Sequence, residues 1–357
     1  MSADEFEIIR KLFAPLATDA GARGLADDAA VLTARGDLVV TTDAIVEGVH
    51  FLPGDPIETI ASKALRVNIS DLVAKGARPT AALLSLIWPQ NRPSEEIAVF
   101  ANALARDLKH FAVDLIGGDT TSTSGPLTVS ITAFGVPLGD RTPSRANAEP
   151  GEDVWLIGGE IGSSWMGLQL RTGAMKLGEI RRGRDEEIAR MESKAAAPHM
   201  PAYLTIPGEE FDAEAAWLMS LYLAPFVRHE CAPIVARFAS ASMDVSDGLV
   251  ADAQKLAAAS GAALRIEAND IPFSIPAQRW AETGGDFRKL VTGGDDYVVL
   301  FTAPPSVREE LLAADGGMAL RLTRIGVVER GEGVTLVNRE GAPISIPDPG
   351  YSHRLGR

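Results

Sequence analysis

The sequence has little cysteine, no excess of positive charge and no long apolar run, and each absence excludes a class of protein. A single cysteine, Cys231, among 357 residues excludes a disulfide framework or a multi-cysteine metal site within one chain. A formal net charge of −14 argues against a nucleic-acid binder that relies on phosphate contacts. The longest apolar run, AALLSLIW at 81–88, is far too short to span a bilayer. We therefore expect a soluble, cytoplasmic protein.

Several well-known catalytic motifs are also absent. The sequence contains no GxxxxGK[ST], GxGxxG, HExxH or GxSxG pattern. A P-loop, a dinucleotide-binding turn, a zinc protease site and a serine-hydrolase elbow are therefore each unsupported. If this acidic protein binds phosphate groups, cations must accompany them.

The composition and length are those of a globular protein with two domains. Hydrophobic residues make up 46% of the chain and charged residues 23%. Predicted strands and helices alternate in both halves, which indicates an α/β or α+β fold. The segment RTPSRANAEPGED marks a boundary, so we expect domains at 1–145 and 146–357. The charged segment 174–215, which is punctuated by proline and glycine, is predicted to be an insertion.

Acidic residues recur beside predicted strand ends and glycines. Asp43 follows the strand LVVTT, Asp119 follows LIGG, and Asp71 lies three residues after Asn68 on one face of a predicted helix. Ligand sites of α/β sheets lie outside strand ends, and Mg²⁺ binds carboxylate and phosphate oxygens together. The recurring pattern therefore predicts metal-dependent phosphoryl chemistry.

Each motif taken alone has a simpler interpretation. A single Asp at a turn is commonly an Asx-turn or a helix N-cap, and Asp247 before GLVADAQKL is well placed as such a cap. The residues alone also leave two other functions open. One is a phosphohydrolase that uses an Asp of DVSD as a covalent nucleophile, and the other is a binding module with structural Ca²⁺.

Six motifs in order resemble those of thiamine-monophosphate kinases. They are DDAAVL, TTDAIVEGVHF, KALRVNISDLVAKGARP, LIGGDTT, DVSDGL and GGDDY, and the resemblance extends from about residue 5 to GYSHR at 350–354. The family belongs to a superfamily with aminoimidazole ribonucleotide synthetase and selenophosphate synthetase, and another enzyme of this superfamily is the alternative. Selenophosphate synthetase resembles the chain less, because its N-terminal Cys or selenocysteine has no counterpart.

The resemblance implies a fold and a reaction. Residues 1–145 would form a mixed sheet with helices that binds ATP and metal. In a homodimer, this sheet and its copy would form a barrel at the interface. Residues 146–357 would form an α/β sandwich. The enzyme would transfer the γ-phosphoryl group of ATP directly to thiamine monophosphate with several Mg²⁺ ions, without nucleic-acid or membrane partners. Its acceptor phosphate is already ionised, so no catalytic base is assigned.

The resemblance also implies site residues, position by position. The metal ligands would be Asp28, Thr41, Thr42, Asp43, Asp71, Asp119, Asp244 and Asp247, with Asp43, Asp71 and Asp119 essential. ATP would contact Gly117, Gly118, Asp119, Arg145 and Ser246. Thiamine monophosphate would contact His50, Asp295 and Tyr351. This chain has GGDDYVV where the family has GGEDYEL, so Asp295 replaces a longer glutamate.

Overall fold

The computed structural model describes residues 5–26, 29–32, 36–182, 212–315 and 320–351. Most of the predicted insertion at 174–215, together with Asp28, lies outside the described residues. The chain forms two compact units, Met1–Pro143 with Val227–Ala239, and Ser144–Phe226 with Ser240–Arg357. The first unit thus includes a short segment, Val227–Ala239, from far along the chain.

Helices and strands alternate along the described residues. The α-helices are α1 (Glu5–Ile8), α2 (Ile57–Ala74), α3 (Glu95–Phe111), α4 (Ser163–Arg171), α5 (Leu177–Arg181), α6 (Ala213–Leu223), α7 (Ala232–Phe238), α8 (Leu249–Ser260), α9 (Ile275–Glu282), α10 (Arg288–Thr292) and α11 (Arg308–Ala314). A π-helical turn follows α1 at Ile9–Phe13, and short 3₁₀ turns lie at Ala14–Leu16, Ala20–Leu25, His229–Cys231, Ala268–Asp270 and Pro305–Val307. None of the described helices is both long and apolar enough to cross a membrane.

The strands form two sheets. They are β1 (Val39–Val46), β2 (Ala77–Pro89), β3 (Asp114–Thr123), β4 (Thr128–Pro137), β5 (Asp153–Ile157), β6 (Ser242–Asp244), β7 (Ala263–Glu267), β8 (Val299–Ala303), β9 (Thr323–Glu329), β10 (Gly333–Val337) and β11 (Pro343–Ile344). The first unit has the strand order β1-β4-β2-β3, and the second has β11-β10-β7-β9-β5-β8-β6. Both sheets mix parallel and antiparallel pairs, which confirms the predicted mixed α/β class.

One face of the four-stranded sheet is covered by helix α2. Along β4, Val129, Ile131 and Ala133 are buried, whereas the alternating Ser130 and Thr132 are only half-buried. Helix α2 contacts β1, β2 and β4, so the buried residues face this helix. The edge strands are β1 and β3, so the sheet within one chain is open and is not a closed barrel.

The polar residues of β1 and β3 lie within the strands, so the prediction that they follow strand ends is wrong. Strand β1 continues to Val46, past Asp43, and strand β3 continues to Thr123, past Asp119. Backbone pairing carries both strands onward, because Asp43 pairs with Ile131 and Asp119 pairs with Ser85. The hydrogen-bond ladder uses backbone groups, so a change to polar side chains does not end a strand.

The core of the second unit lies between the seven-stranded sheet and helix α8. Val250 and Leu256 of this helix are buried in the same cluster as Leu264, Leu300 and Leu336 of three strands. The sequence predicts a helix over 212–230, but helix α6 ends at Leu223. Pro225 follows within two residues, and the residue before a proline is disfavoured in the helical conformation.

Candidate functional site

Helix α2 presents two polar side chains to the middle of strand β1. The Asn68 Oδ1 atom accepts the backbone N–H of Asp43 at 2.9 Å, and the Thr41 hydroxyl donates to Asp71 Oδ2 at 2.5 Å. Asn68 is fully buried, and its amide nitrogen donates to the Ala64 carbonyl, which fixes the direction of its oxygen. The predicted helical face of Asn68 and Asp71 is confirmed. The structure therefore brings Thr41, Asp43 and Asp71 together.

Thr42 points away from this group. Its hydroxyl donates to the Ile131 carbonyl at 3.2 Å and accepts from the Thr132 hydroxyl at 3.0 Å. Successive strand residues face opposite sides of a sheet, so the side chains of Thr41 and Thr42 diverge. The structure does not place the Thr42 hydroxyl beside Asp71.

Asp119 lies on the opposite edge of the same sheet. Strands β4 and β2 separate β1 from β3, which places Asp43 and Asp119 about 14 Å apart at the usual strand spacing. The preceding Gly118 has φ +154, and a Cβ atom there would lie 1.9 Å from the Leu84 carbonyl oxygen. Only glycine allows this close approach of β3 to β2. A single ion cannot contact Asp43 and Asp119 of one chain.

His50 is held by a turn that follows strand β1. Its Nδ1 accepts the Val46 N–H at 3.0 Å, and the buried Lys63 ammonium donates to its carbonyl at 2.9 Å. A nitrogen that accepts a hydrogen bond carries no proton, so the neutral ring carries its proton on Nε2.

In the second unit, three segments that are distant in sequence meet. The Asp295 N–H donates to the Ser246 carbonyl at 2.8 Å, and the Tyr351 N–H donates to the Asp247 carbonyl at 3.0 Å. Asp244 is buried at the end of β6, just before this loop. A Cβ atom at Gly294 would lie 2.6 Å from the Ser246 carbonyl oxygen, so the contact requires glycine. The loop that carries Asp244, Ser246 and Asp247 thus meets the segments of Asp295 and Tyr351.

The sequence and the fold are similar to those of known proteins. Residues 26–137, which include the whole four-stranded sheet, match the family described as AIR synthase related protein, N-terminal domain. The chain is 35% identical over 338 residues to the thiamine-monophosphate kinase of Caulobacter vibrioides, which covers 93% of this chain and 86% of the relative. The chain belongs to the thiamine-monophosphate kinase family.

Two solved structures of the family are similar to this fold. The thiamine-monophosphate kinase of Stenotrophomonas maltophilia K279a has a TM-score of 0.70 and 33% identity, over 87% of this chain and 89% of that one. A second, described as AaThiL complexed with AMPPCP and TMP, has a TM-score of 0.68 and 29% identity, over 88% and 87%.

Arg145 does not lie beside the Ser246 loop. Its carbonyl accepts the hydroxyl of Ser260, the last residue of α8, whereas Ser246 precedes the first residue of that helix. A helix of 12 residues is about 18 Å long, so the two residues predicted to contact ATP flank opposite ends of α8. The Arg145 side chain is exposed.

Asp252 and Lys255 were missed by the sequence reasoning. Helix α8 has Gly248 at its N-cap, so the interpretation of Asp247 as the cap is wrong. The Asp247 carboxylate instead forms an ion pair with Lys255, which also donates to the buried Asp252 at 2.7 Å. An acid and a lysine three residues apart in the first turns of a helix are the sequence signal from which this pair could have been predicted.

Asp296 is a further buried acid in the GGDDY segment. Both of its carboxylate oxygens accept the Gly162 N–H, at 2.9 and 3.0 Å. Burial raises the pKa of Asp296 well above its ordinary value, and the hydrogen bond from Gly162 opposes this only in part. Asp296 thus ties the segment that carries Asp295 to the start of helix α4.

The donor atoms fit Mg²⁺ when phosphate or water completes its coordination. The predicted ligands are carboxylates and hydroxyls, the hard oxygen donors that Mg²⁺ prefers. Among the described residues, however, no three His, Cys, Asp or Glu side chains form a group able to hold a metal. Mg²⁺ is commonly held by one or two protein carboxylates, with substrate phosphates and water as its other ligands. The separate carboxylates of this protein suit such a site.

Proposed function

We propose that this protein transfers the γ-phosphoryl group of ATP to thiamine monophosphate, giving ADP and thiamine diphosphate. The observation that carries the proposal is the convergence of Asp244, Ser246, Asp295 and Tyr351 in one unit. The family relatives bear the name of this kinase, and one solved relative contains AMPPCP and TMP.

The chain's own residues would bind and orient the two phosphate groups. In the first unit, Asp71, held by Thr41, would present carboxylate oxygens to a metal ion that carries phosphate. In the second unit, Asp244 would do the same. In that unit, Asp295 and Tyr351 would orient the acceptor, and the contact of His50 with the acceptor stays a prediction from the sequence. Mg²⁺, when bound, neutralises the charge that accumulates on the transferred phosphoryl group. The acceptor oxygen is ionised, so positioning replaces general-base catalysis.

The simplest test is an incubation with ATP, Mg²⁺ and thiamine monophosphate. We expect thiamine diphosphate, and we expect none when Mg²⁺ is chelated. Phosphate release without an acceptor would favour the hydrolase instead.

γ-Labelled ATP without acceptor should leave no label on the denatured protein, because transfer is direct. A stoichiometric, base-labile label on Asp244 or Asp247 would establish the covalent mechanism.

The open sheet suggests that the active enzyme is a homodimer. Strand β1 of one protomer can pair with β3 of its copy, and the two-fold axis repeats this contact to close a barrel of eight strands. This pairing would bring Asp43 beside Asp119 of the partner subunit, although the two lie on opposite edges of one chain. Each site would then need both protomers.

Mixed dimers test this composite site. Asp43→Asn and Asp119→Asn should each lower turnover by orders of magnitude, yet their mixed dimer has one site with both acids intact. Random assembly should therefore restore about a quarter of wild-type activity. A mixture of Asp43→Asn with Asp71→Asn is the matched control and should restore none, because both residues lie at the same edge. Equal activities of the two mixtures would refute the composite site.

The cytoplasmic location stays a prediction from the sequence.

A further inference from the structure

Lys255 in helix α8 bridges two carboxylates of the second unit. Its ammonium donates to Asp252 Oδ1 at 2.7 Å and to Asp247 Oδ2. The two acids differ in their environment, because Asp252 is fully buried while the Asp247 side chain is 30% exposed. The lysine therefore has one buried partner and one partner that solvent can reach.

Asp252 is fixed by a complete set of hydrogen bonds. Its Oδ2 accepts the backbone N–H groups of both Ser246 and Asp247, each at 2.9 Å, while Oδ1 accepts Lys255. Removing the ammonium from this acid would leave a buried carboxylate without a countercharge, which is strongly unfavourable. The Lys255–Asp252 contact is thus the permanent one.

The Lys255–Asp247 contact is exchangeable. A half-exposed ion pair in contact with solvent is weak, so another cation can replace the ammonium at Asp247. Under the proposed function Asp247 is a metal ligand, yet the ammonium already occupies a cation position on its carboxylate. A divalent ion that binds Asp247 at the position of the ammonium displaces this contact and is repelled by the remaining positive charge.

We propose that Lys255 is a displaceable counter-ion of Asp247. Its contact with Asp252 anchors the ammonium, which holds the Asp247 carboxylate in place until a divalent cation binds that carboxylate. The proposal rests on the proposed function, because it assumes that Asp247 binds metal. It explains how the loop that carries Ser246 keeps its conformation before metal and nucleotide bind. It also implies that the ammonium lowers the metal affinity of the free enzyme.

The test is a Mn²⁺ titration of the full chain without nucleotide, followed by the electron paramagnetic resonance signal of free Mn²⁺. Lys255→Met should tighten binding about tenfold, because it removes a positive charge next to the ligand. Lys255→Arg keeps the charge and should leave the affinity near that of the wild type. Arg265→Met removes a half-buried charge of the same unit, on a strand about 19 Å from β6, and should leave Mn²⁺ affinity unchanged.

Asp247→Asn separates the two hypotheses. It should weaken Mn²⁺ binding in the wild type and abolish the gain seen with Lys255→Met. If Asp247→Asn has no effect, Asp247 is not a metal ligand and the proposed metal site is wrong together with this inference. If Asp247→Asn weakens binding but Lys255→Met leaves it unchanged or weaker, only the displaceable counter-ion is wrong.

Thermal unfolding provides a second measurement that needs no activity. Without divalent ions, Lys255→Met should melt at a lower temperature than the wild type, because Asp247 and Asp252 lose their countercharge. Added Mg²⁺ should raise the melting temperature of this variant more than that of the wild type. An equal or smaller rise would contradict the proposal.

Discussion

Asp295 offers a test of acceptor recognition, because its side chain and its backbone have separable roles. Its backbone N–H holds the Ser246 loop, and its Oδ1 accepts the Tyr297 hydroxyl at 3.2 Å. It has φ +63, a left-handed conformation that Asp and Asn tolerate but that costs other residues roughly 1–2 kcal/mol. Asp295→Asn therefore removes the charge and keeps the backbone, whereas Asp295→Ala changes both.

We expect Asp295→Asn to raise the Michaelis constant for thiamine monophosphate ten- to a hundredfold. A hydrogen bond to a charged group contributes roughly 1.5–3 kcal/mol, and each 1.36 kcal/mol is a factor of ten. The Michaelis constant for ATP should stay within about twofold, because the backbone contact to Ser246 persists. Steady-state kinetics with each substrate varied in turn, together with urea unfolding, measure both effects.

Two further variants sharpen this test. Tyr297→Phe keeps the Asp295 carboxylate but removes the hydroxyl that orients it, so the same Michaelis constant should rise by a smaller factor. Asp295→Glu restores the side chain usual in the family and should retain or improve activity, although the left-handed backbone should lower its stability by roughly 1–2 kcal/mol. If Asp295→Asn affects ATP and acceptor equally, or leaves the acceptor untouched, Asp295 does not bind the acceptor.

Three other predictions concern stability, each measured by urea unfolding. Burial raises the pKa of Asp296 in the folded protein above its value in the unfolded chain. The free energy of unfolding that this carboxyl contributes is therefore full below the pKa of the unfolded state and is lost as pH rises through the pKa of the folded state. Asp296→Asn should make the free energy of unfolding fall less steeply with rising pH. Burial opposes the ionisation of Asp153, but hydrogen bonds from two arginines lower its pKa overall. Its stabilisation is therefore lost as pH falls, and Asp153→Asn should cost about 2 kcal/mol at neutral pH, a loss that vanishes in acid. Gly118→Ala should prevent stable folding, because its Cβ atom would meet the Leu84 carbonyl. The control Gly178→Ala should fold normally, because a Cβ atom there meets nothing within 4 Å. If Gly118→Ala is as stable as the wild type, β3 does not approach β2 as closely as described.

The sequence by itself determined the elements that depend on local patterns. Helix α2 could be predicted with the face that carries Asn68 and Asp71, because helical periodicity is a property of neighbouring residues. The motifs also identified the family, since the comparisons confirm it. The chemistry of the site follows from side-chain types, because carboxylates without a P-loop require cations to bind phosphate.

Only the tertiary structure decided which of these residues meet. The approach of Asp295 and Tyr351 to the Ser246 loop joins segments about fifty and a hundred residues apart through backbone hydrogen bonds. Strand order placed Asp119 on the edge opposite Asp43, and a helix separated Arg145 from that loop. Pairing and register depend on backbone groups that every residue shares, so the side-chain pattern of one sequence cannot specify them.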